Sequence, residues 1–223
     1  MNNTITTIEN NRDTPSTINK IKKAIVSQVS DCVTYPLLYS VITFSTYDNY
    51  GCKLPISQVR KYWDKQEVEK TCILLRNMLK ETFSIERTYF FVERHADLLD
   101  EDGETQKKGR FHINLVATTI ADQIIEDPSR KVKRLLRGNG RLGVPIENQV
   151  YEDLEDLKID LFNACLRQAD WVNKWSGSVL TQWMDGPTDA EAVVQYSLKD
   201  YKPGGHTDFT DIIVWKASDF YRP

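Results

Sequence analysis

The sequence has few of the features that mark secreted, membrane-spanning or zinc-binding proteins. It contains no run of about 18 apolar residues, so no transmembrane helix is predicted. Its four cysteines have no CxxC or CxH spacing, which argues against a zinc site or a disulfide framework and favours free thiols. The first 20 residues lack the apolar core of a signal peptide, so we expect a cytoplasmic protein without a membrane partner.

Phosphate-binding loops and a bulk positive charge are also missing. No G-x-x-x-x-G-K-[ST] loop is present, so no nucleotide-binding P-loop is predicted in this sequence. The net charge of −3 does not by itself indicate nucleic-acid binding. One segment, "RKVKRLLRGNGR" at residues 130–141, is nevertheless basic and has no acid. It is either a local phosphate-binding patch or a solvated helix face followed by a turn. Its basic residues are Arg130, Lys131, Lys133, Arg134, Arg137 and Arg141.

Hydrophobic periodicity predicts a single domain over residues 21–223, preceded by a polar, flexible arm over residues 1–20. Strands joined in hairpins alternate with long helices, which points to an α+β fold with a mostly antiparallel central sheet flanked by helices. Strands are predicted at residues 37–48, 84–95, 110–118 and 176–185, with a possible last strand at 210–220. Helices are predicted at 21–29, 56–83, 128–138, 153–175 and 187–201.

Two of the predicted strands carry polar side chains that share a face. In "FFVERH", period 2 places Glu93 and His95 together, and in "FHINL" it places His112 and Asn114 together. If the two strands pair antiparallel, a carboxylate, an imidazole and an amide meet over one face of the sheet. Such a mixed set suits Mg²⁺ or Mn²⁺. A single histidine on a strand is also common as a purely structural residue.

The helix predicted at 187–201 carries a candidate nucleophile. Tyr196 and Lys199 are three residues apart and therefore lie on one helical face. A tyrosine beside a cation can act as a nucleophile, and a lysine can neutralise a phosphate or a leaving oxygen. Thr188, followed three residues later by Glu191, predicts a capping box at the start of this helix.

In chain order, these motifs resemble the HUH endonucleases, specifically the single-tyrosine replication initiators (Rep proteins) of rolling-circle plasmids and small single-stranded DNA viruses. "VITFSTY" (41–47) is similar to their first motif, and "FHINLV" (111–116) to their second, His-hydrophobic-His. "VVQYSLKDY" (193–201) is similar to their third, Y-x-x-K. The resemblance covers roughly residues 38–202 and implies a ferredoxin-like/HUH fold.

The resemblance also implies a function and roles for the residues. The protein would nick and rejoin single-stranded or hairpin origin DNA in the replication of a plasmid, phage or virus. Glu93, His112 and Asn114 would hold Mg²⁺ or Mn²⁺ against the scissile phosphate. Tyr196 would attack phosphorus and form a 5′-phosphotyrosine, assisted by Lys199. The basic residues of segment 130–141 would contact DNA, and a separate helicase and a host polymerase would complete the reaction.

The chain departs from the family pattern at Asn114, where the motif has its second histidine. Some relatives carry a glutamine there, so an amide oxygen is an accepted type of ligand. His95 competes with Glu93 as the third ligand. Two alternative functions stay open: an HUH-fold DNA-binding protein that has lost catalysis, and a ferredoxin-like module that binds RNA or protein.

Overall fold

The computed structural model of the chain describes residues 5–7, 36–44, 65–94, 98–99, 106–107, 111–140, 143–169, 179–198 and 210–215, and six residues between 20 and 29. The strands are Ile5–Thr7 (β1), Leu37–Thr43 (β2), Thr88–Arg94 (β3), Leu98–Leu99 (β4), Gln106–Lys107 (β5), Phe111–Thr118 (β6), Val179–Met184 (β7) and Thr210–Trp215 (β8). The α-helices are Lys65–Phe83 (α1), Asp122–Glu126 (α2), Arg130–Leu136 (α3), Leu154–Leu166 (α4) and Pro187–Ser197 (α5). A short 3-10 helix spans Ile146–Asn148.

Six strands form one antiparallel sheet in the order β1-β8-β3-β6-β2-β7, and β4 pairs with β5 in a separate hairpin. The predicted α+β class, with an antiparallel central sheet flanked by helices, is confirmed. Within the predicted arm of residues 1–20, the structure describes β1, which pairs with β8. The other residues before Lys20 lie outside the described part of the chain.

The first face of the sheet carries the larger core. Helices α1, α3 and α4 pack on it through apolar residues at three- and four-residue spacing. The sheet contributes alternate residues of its central strands, as a half-buried sheet requires. The fully buried members from these strands are Leu38, Ile42, Phe90, Val92, Ile113 and Leu115.

The second face of the sheet is covered by α5 and by residues near Val29. Ala190, Val194 and Leu198 of this helix are buried against Tyr39, Phe91 and other residues of β2, β3, β6 and β7. The two faces therefore have separate cores, and each central strand contributes to both. This division decides which polar side chains of β2, β3 and β6 can meet.

Several predicted elements begin or end elsewhere than their sequence pattern suggests, and the helix predicted to residue 201 ends at Ser197. The strand predicted from residue 84 begins at Thr88. Ser84 has a φ of 56° and donates its N–H to the Lys80 carbonyl at 2.9 Å, so it terminates α1 in a left-handed turn. Helix α4 ends at Leu166 rather than near residue 175, because the N–H groups of Gln168 and Ala169 turn to i−3 carbonyls.

The predicted capping box at Thr188 is wrong. Helix α5 begins at Pro187, so the N-cap position falls on Gly186, and no side chain caps this end. Proline is suited to the first helical position because its fixed φ is already helical and its missing N–H needs no partner. The N-terminus of α4 is different, because the Asp156 N–H donates to the Asp153 carboxylate at 2.8 Å.

We expect Asp153→Ala to lower the free energy of unfolding by about 1 kcal/mol, since it removes the acceptor that caps α4. Thr188→Ala should change it by less than about 0.5 kcal/mol, because the threonine is exposed and caps nothing. Urea denaturation of both variants measures the difference. Equal losses in the two variants would contradict the assignment of the caps.

No helix in the described residues combines the length and apolar character that a membrane span needs. Cys72 and Cys165 are free and buried, as the cysteine spacing predicts. Burial raises the pKa of Cys165 to about 11, so this thiol stays protonated at neutral pH. Cys32 and Cys52 lie outside the described residues.

Candidate active site

Four polar side chains of the central strands meet on the second face of the sheet. Glu93 of β3 lies directly opposite His112 of β6 in the antiparallel register. Asn114 follows His112 by two residues and therefore points to the same face. Tyr39 of β2 shares that face, one diagonal step from Asn114. The predicted meeting of carboxylate, imidazole and amide is thus present, with a tyrosine added to it.

Tyr39, Asn114 and Glu93 form a continuous chain of hydrogen bonds, and His112 contacts its carboxylate end. The Tyr39 hydroxyl donates to Asn114 Oδ1 at 3.0 Å, and Asn114 Nδ2 donates to Glu93 Oε1 at 2.8 Å. His112 Nε2 lies 3.1 Å from the other carboxylate oxygen, Glu93 Oε2. A carboxylate can only accept, so the amide must present its NH₂ group to Glu93 and its oxygen to Tyr39.

This network of four side chains is buried except at its histidine end. Glu93 and Asn114 are 3% and 1% exposed, whereas the His112 side chain is 13% exposed. A buried carboxylate is tolerated only when its oxygens have hydrogen-bond partners, and here Asn114 and His112 each supply one. Solvent and any ligand therefore reach the carboxylate from the side of His112.

The Tyr39 hydroxyl keeps its proton at neutral pH. Burial raises the pKa of Tyr39 to about 12, and the charge of Glu93 acts in the same direction. The contact with Ser197 opposes the rise, and Tyr196 adds to it. Tyr39 is therefore a donor toward Asn114, which is the direction that the hydrogen-bond chain requires.

Helix α5 brings Tyr196 to the same face of the sheet. The helix starts just after Met184, which pairs with Leu37 at the opposite end of β2 from the site. It runs back across the face and ends beside Tyr39, where Ser197 is fully buried. Tyr196 is 60% exposed and lies close enough to affect the ionisation of Tyr39. Lys199 lies outside the described residues.

The Glu93–His112 pair has a spacing that fits a divalent ion. Two ligands at about 2.1 Å from an octahedral ion, at right angles to each other, are about 3.0 Å apart. The observed separation of Oε2 and Nε2 is 3.1 Å. The described residues contain no group of three or more His, Cys, Asp and Glu side chains suited to a metal. His95, the competitor of Glu93, lies outside the described part.

The remaining predicted ligand, Asn114, which occupies the second histidine position of the motif, is in a different situation. Both polar atoms of its side chain are hydrogen-bonded within the protein, to Tyr39 and to Glu93. It is also almost fully buried. The structure therefore brings Asn114 together with Glu93 and His112, and gives its amide oxygen a protein partner.

The predicted DNA contacts lie on the other side of the sheet. Val132 and Leu135 of α3 are buried in the core of the first face, and Ser129 caps the helix. Lys131 pairs with Glu81 at 2.6 Å. The other cations of α3 and its C-cap form what we call the cationic stripe, at positions i, i+3, i+4 and i+7 of one helical face. The stripe consists of Arg130, Lys133, Arg134 and Arg137, all exposed.

The cationic stripe has no acidic partner in the described residues, and Arg141 lies outside them. The sheet separates the stripe from the Glu93–His112 pair, since the two belong to opposite faces. The sequence alone had left open whether segment 130–141 is a phosphate-binding patch or a solvated helix face. A nucleic-acid strand bound at the Glu93–His112 pair can contact the cationic stripe only if it passes around an edge of the sheet.

Sequence reasoning missed Tyr39 and Ser197. A tyrosine within the apolar run "LLYSVI" needs a partner for its hydroxyl once it is buried, which is a signal that the sequence does contain. The identity of the partner depends on the pairing of β2 with β6, which no local pattern specifies. Comparison with protein families, with curated proteins and with solved structures finds no match for this chain.

Proposed function

We propose that the protein nicks and rejoins single-stranded DNA through a metal-assisted attack by Tyr196. The observation that carries this proposal is the placement of α5. It ends beside Tyr39, so that an exposed tyrosine shares a sheet face with the Glu93–His112 pair. A nucleophile and a metal-binding pair on one surface are the two parts that such a reaction needs.

The topology supports a ferredoxin-like/HUH fold. The elements β2, α1, β3, β6, α4 and β7 occur in the order β-α-β-β-α-β, with the β4–β5 hairpin, α2, α3 and the 3-10 helix inserted between them. Their strands occupy the sheet in the order β3-β6-β2-β7, with both helices on the first face. This arrangement leaves the second face for α5 and the proposed chemistry.

The proposed reaction transfers one phosphoryl group of the DNA from a 3′-oxygen to the Tyr196 oxygen. The Tyr196 oxygen forms a bond to phosphorus while the bond from phosphorus to the 3′-oxygen breaks. The phenol gives up its proton and the departing oxygen gains one, which leaves a 5′-phosphotyrosine and a free 3′-OH. Mg²⁺ or Mn²⁺ held by Glu93 and His112 would supply polarisation of the phosphoryl oxygen. Lys199, three residues after the nucleophile, would neutralise charge on the phosphate.

The covalent intermediate keeps the energy of the broken bond, so the reverse attack by a 3′-OH reseals the strand. A polymerase can extend the free 3′-OH in the meantime. The proposed partners are therefore single-stranded or hairpin origin DNA, a separate helicase and a host polymerase, and the proposed location is the cytoplasm.

Covalent capture tests the proposal. The protein is incubated with Mn²⁺ and end-labelled single-stranded DNA from its own replicon or a neighbouring intergenic region, and then denatured. We expect a labelled adduct that survives denaturation and is lost with EDTA. DNA binding without an adduct would favour a DNA-binding protein that has lost catalysis. Absence of both would favour an RNA- or protein-interaction module.

The cationic stripe gives a separate prediction about DNA affinity. Arg134→Glu/Arg137→Glu should weaken binding of single-stranded DNA about tenfold near 0.1 M salt. The slope of log affinity against log salt concentration should become shallower by about 1.4, which is about 0.7 for each lost phosphate contact. Fluorescence anisotropy at several salt concentrations measures both quantities. The variant should keep its Mn²⁺ affinity, because the sheet lies between the stripe and the pair.

The matched control is Lys70→Glu/Lys80→Glu on α1, which changes the net charge by the same amount. Both lysines are exposed and form ion pairs, with Glu67 and Glu86. Equal weakening of DNA binding in the two double variants would show a general charge effect and would remove the stripe from the proposed DNA path.

A further inference from the structure

We propose that Asn114 is a positioning residue for Glu93 and not a metal ligand, and that Tyr39 locks it in that role. This inference rests on the proposed function, because it concerns the metal pair of that site. It assigns a role to the position at which the chain departs from the His-hydrophobic-His motif, and to a tyrosine that belongs to none of the three motifs.

The orientation of the amide carries the inference. Asn114 Nδ2 donates to Glu93 Oε1 at 2.8 Å, and Oδ1 accepts from the Tyr39 hydroxyl at 3.0 Å. To present Oδ1 to an ion at the pair, the amide would have to rotate by about half a turn. The rotation would set Oδ1 against a carboxylate oxygen and the NH₂ group against the hydroxyl of Tyr39, and both bonds would be lost.

Burial makes that rotation unfavourable. Asn114 is 1% exposed and Glu93 is 3% exposed, so no solvent is available to replace the lost bonds. The existing orientation leaves the other carboxylate oxygen, Oε2, facing His112 Nε2, and an ion bound by both atoms would replace their direct contact. Second-shell partners of this type fix the orientation of a ligating carboxylate and tune metal affinity. Glu93 and His112 are then the ligands that the described residues supply.

The substitution Tyr39→Phe distinguishes a positioning role of Asn114 from a ligand role, because each role predicts a different change in Mn²⁺ affinity. If Asn114 positions Glu93, loss of the hydroxyl frees the amide to rotate and Mn²⁺ affinity should fall about tenfold. If Asn114 is instead a ligand through Oδ1, the same loss releases the oxygen, and affinity should stay the same or rise. Mn²⁺ binding is measured on the full chain without DNA, by calorimetry and by the EPR signal of free Mn²⁺.

The matched control is Tyr151→Phe. The Tyr151 hydroxyl donates to Asp160 at 2.8 Å, on the first face of the sheet. Both variants lose one tyrosine-to-side-chain hydrogen bond, so both should show a comparable shift in melting temperature. Only Tyr39→Phe should weaken Mn²⁺ binding. A similar loss of affinity in both variants would indicate a general loss of structure and would overturn the inference.

A second series of substitutions compares how much Glu93, His112 and Asn114 each contribute to Mn²⁺ binding. Glu93→Gln and His112→Ala should abolish detectable Mn²⁺ binding, whereas Asn114→Ala should weaken it about tenfold. Complete loss in Asn114→Ala, with a folded protein by circular dichroism, would make Asn114 a ligand and overturn the inference. Absence of Mn²⁺ binding to the wild-type protein would also overturn it.

Failure of this inference can be distinguished from failure of the proposed function. Mn²⁺ titration needs no DNA, and the covalent adduct is scored separately. If the wild-type protein binds Mn²⁺ and Tyr39→Phe weakens that binding but no adduct forms, the positioning role stands and the nickase proposal fails. If an adduct forms and Tyr39→Phe binds Mn²⁺ as tightly as the wild type, the nickase proposal stands and the positioning role fails.

Discussion

Replacing Tyr196 by phenylalanine will abolish the covalent protein–DNA adduct while leaving the fold intact. The substitution removes the oxygen that would form the bond to phosphorus in the proposed reaction, and no other atom of the side chain can replace it. Loss of a covalent nucleophile lowers activity by a thousandfold or more, on the order of 10³ to 10⁶. Tyr196 is 60% exposed, so the free energy of unfolding should change by less than about 0.5 kcal/mol.

The measurement is gel analysis of the adduct with labelled DNA, together with urea denaturation and DNA anisotropy. Tyr151→Phe serves as the control, because this tyrosine lies on the opposite face of the sheet and its variant should form the adduct as the wild type does. An adduct that persists in Tyr196→Phe would move the nucleophile elsewhere in the chain, and Tyr201 would be the next residue to replace.

Replacing His112 by alanine will have two effects, on stability and on metal binding. Glu93 is 3% exposed and has His112 Nε2 at 3.1 Å from its Oε2. Removal of the imidazole leaves a buried carboxylate oxygen without this donor, and the free energy of unfolding should fall by about 2 kcal/mol. The same variant loses one of two proposed ligands, so neither Mn²⁺ binding nor the adduct should be detected.

Urea denaturation in EDTA isolates the effect on stability, and Mn²⁺ titration isolates the effect on the ion. Lys131→Ala is the comparison for stability, because it breaks an ion pair with Glu81 in which both side chains are more than half exposed. That loss should be clearly smaller than the loss in His112→Ala, because solvent screens an exposed ion pair. Wild-type Mn²⁺ affinity in His112→Ala would exclude the Glu93–His112 pair as the metal site.

The elements of this protein that depend on local periodicity were determined by the sequence. Period 2 placed His112 and Asn114 on one side of β6, and Ile113 on the other, before any pairing was known. Three- and four-residue spacing likewise predicted α1 and α4, although α4 ends earlier than its pattern suggests. These features need only neighbouring residues, because backbone geometry alone sets which side chains share a face.

Features that depend on partners distant in the chain were decided by the tertiary structure. Strand register set Glu93 against His112 and brought Tyr39 to Asn114, and a one-residue slip would have turned these side chains to the other core. Helix packing placed α3 and its cations on the face opposite the site. A local sequence pattern does not specify strand register or helix placement, because both depend on which apolar residues pack on each face of the sheet.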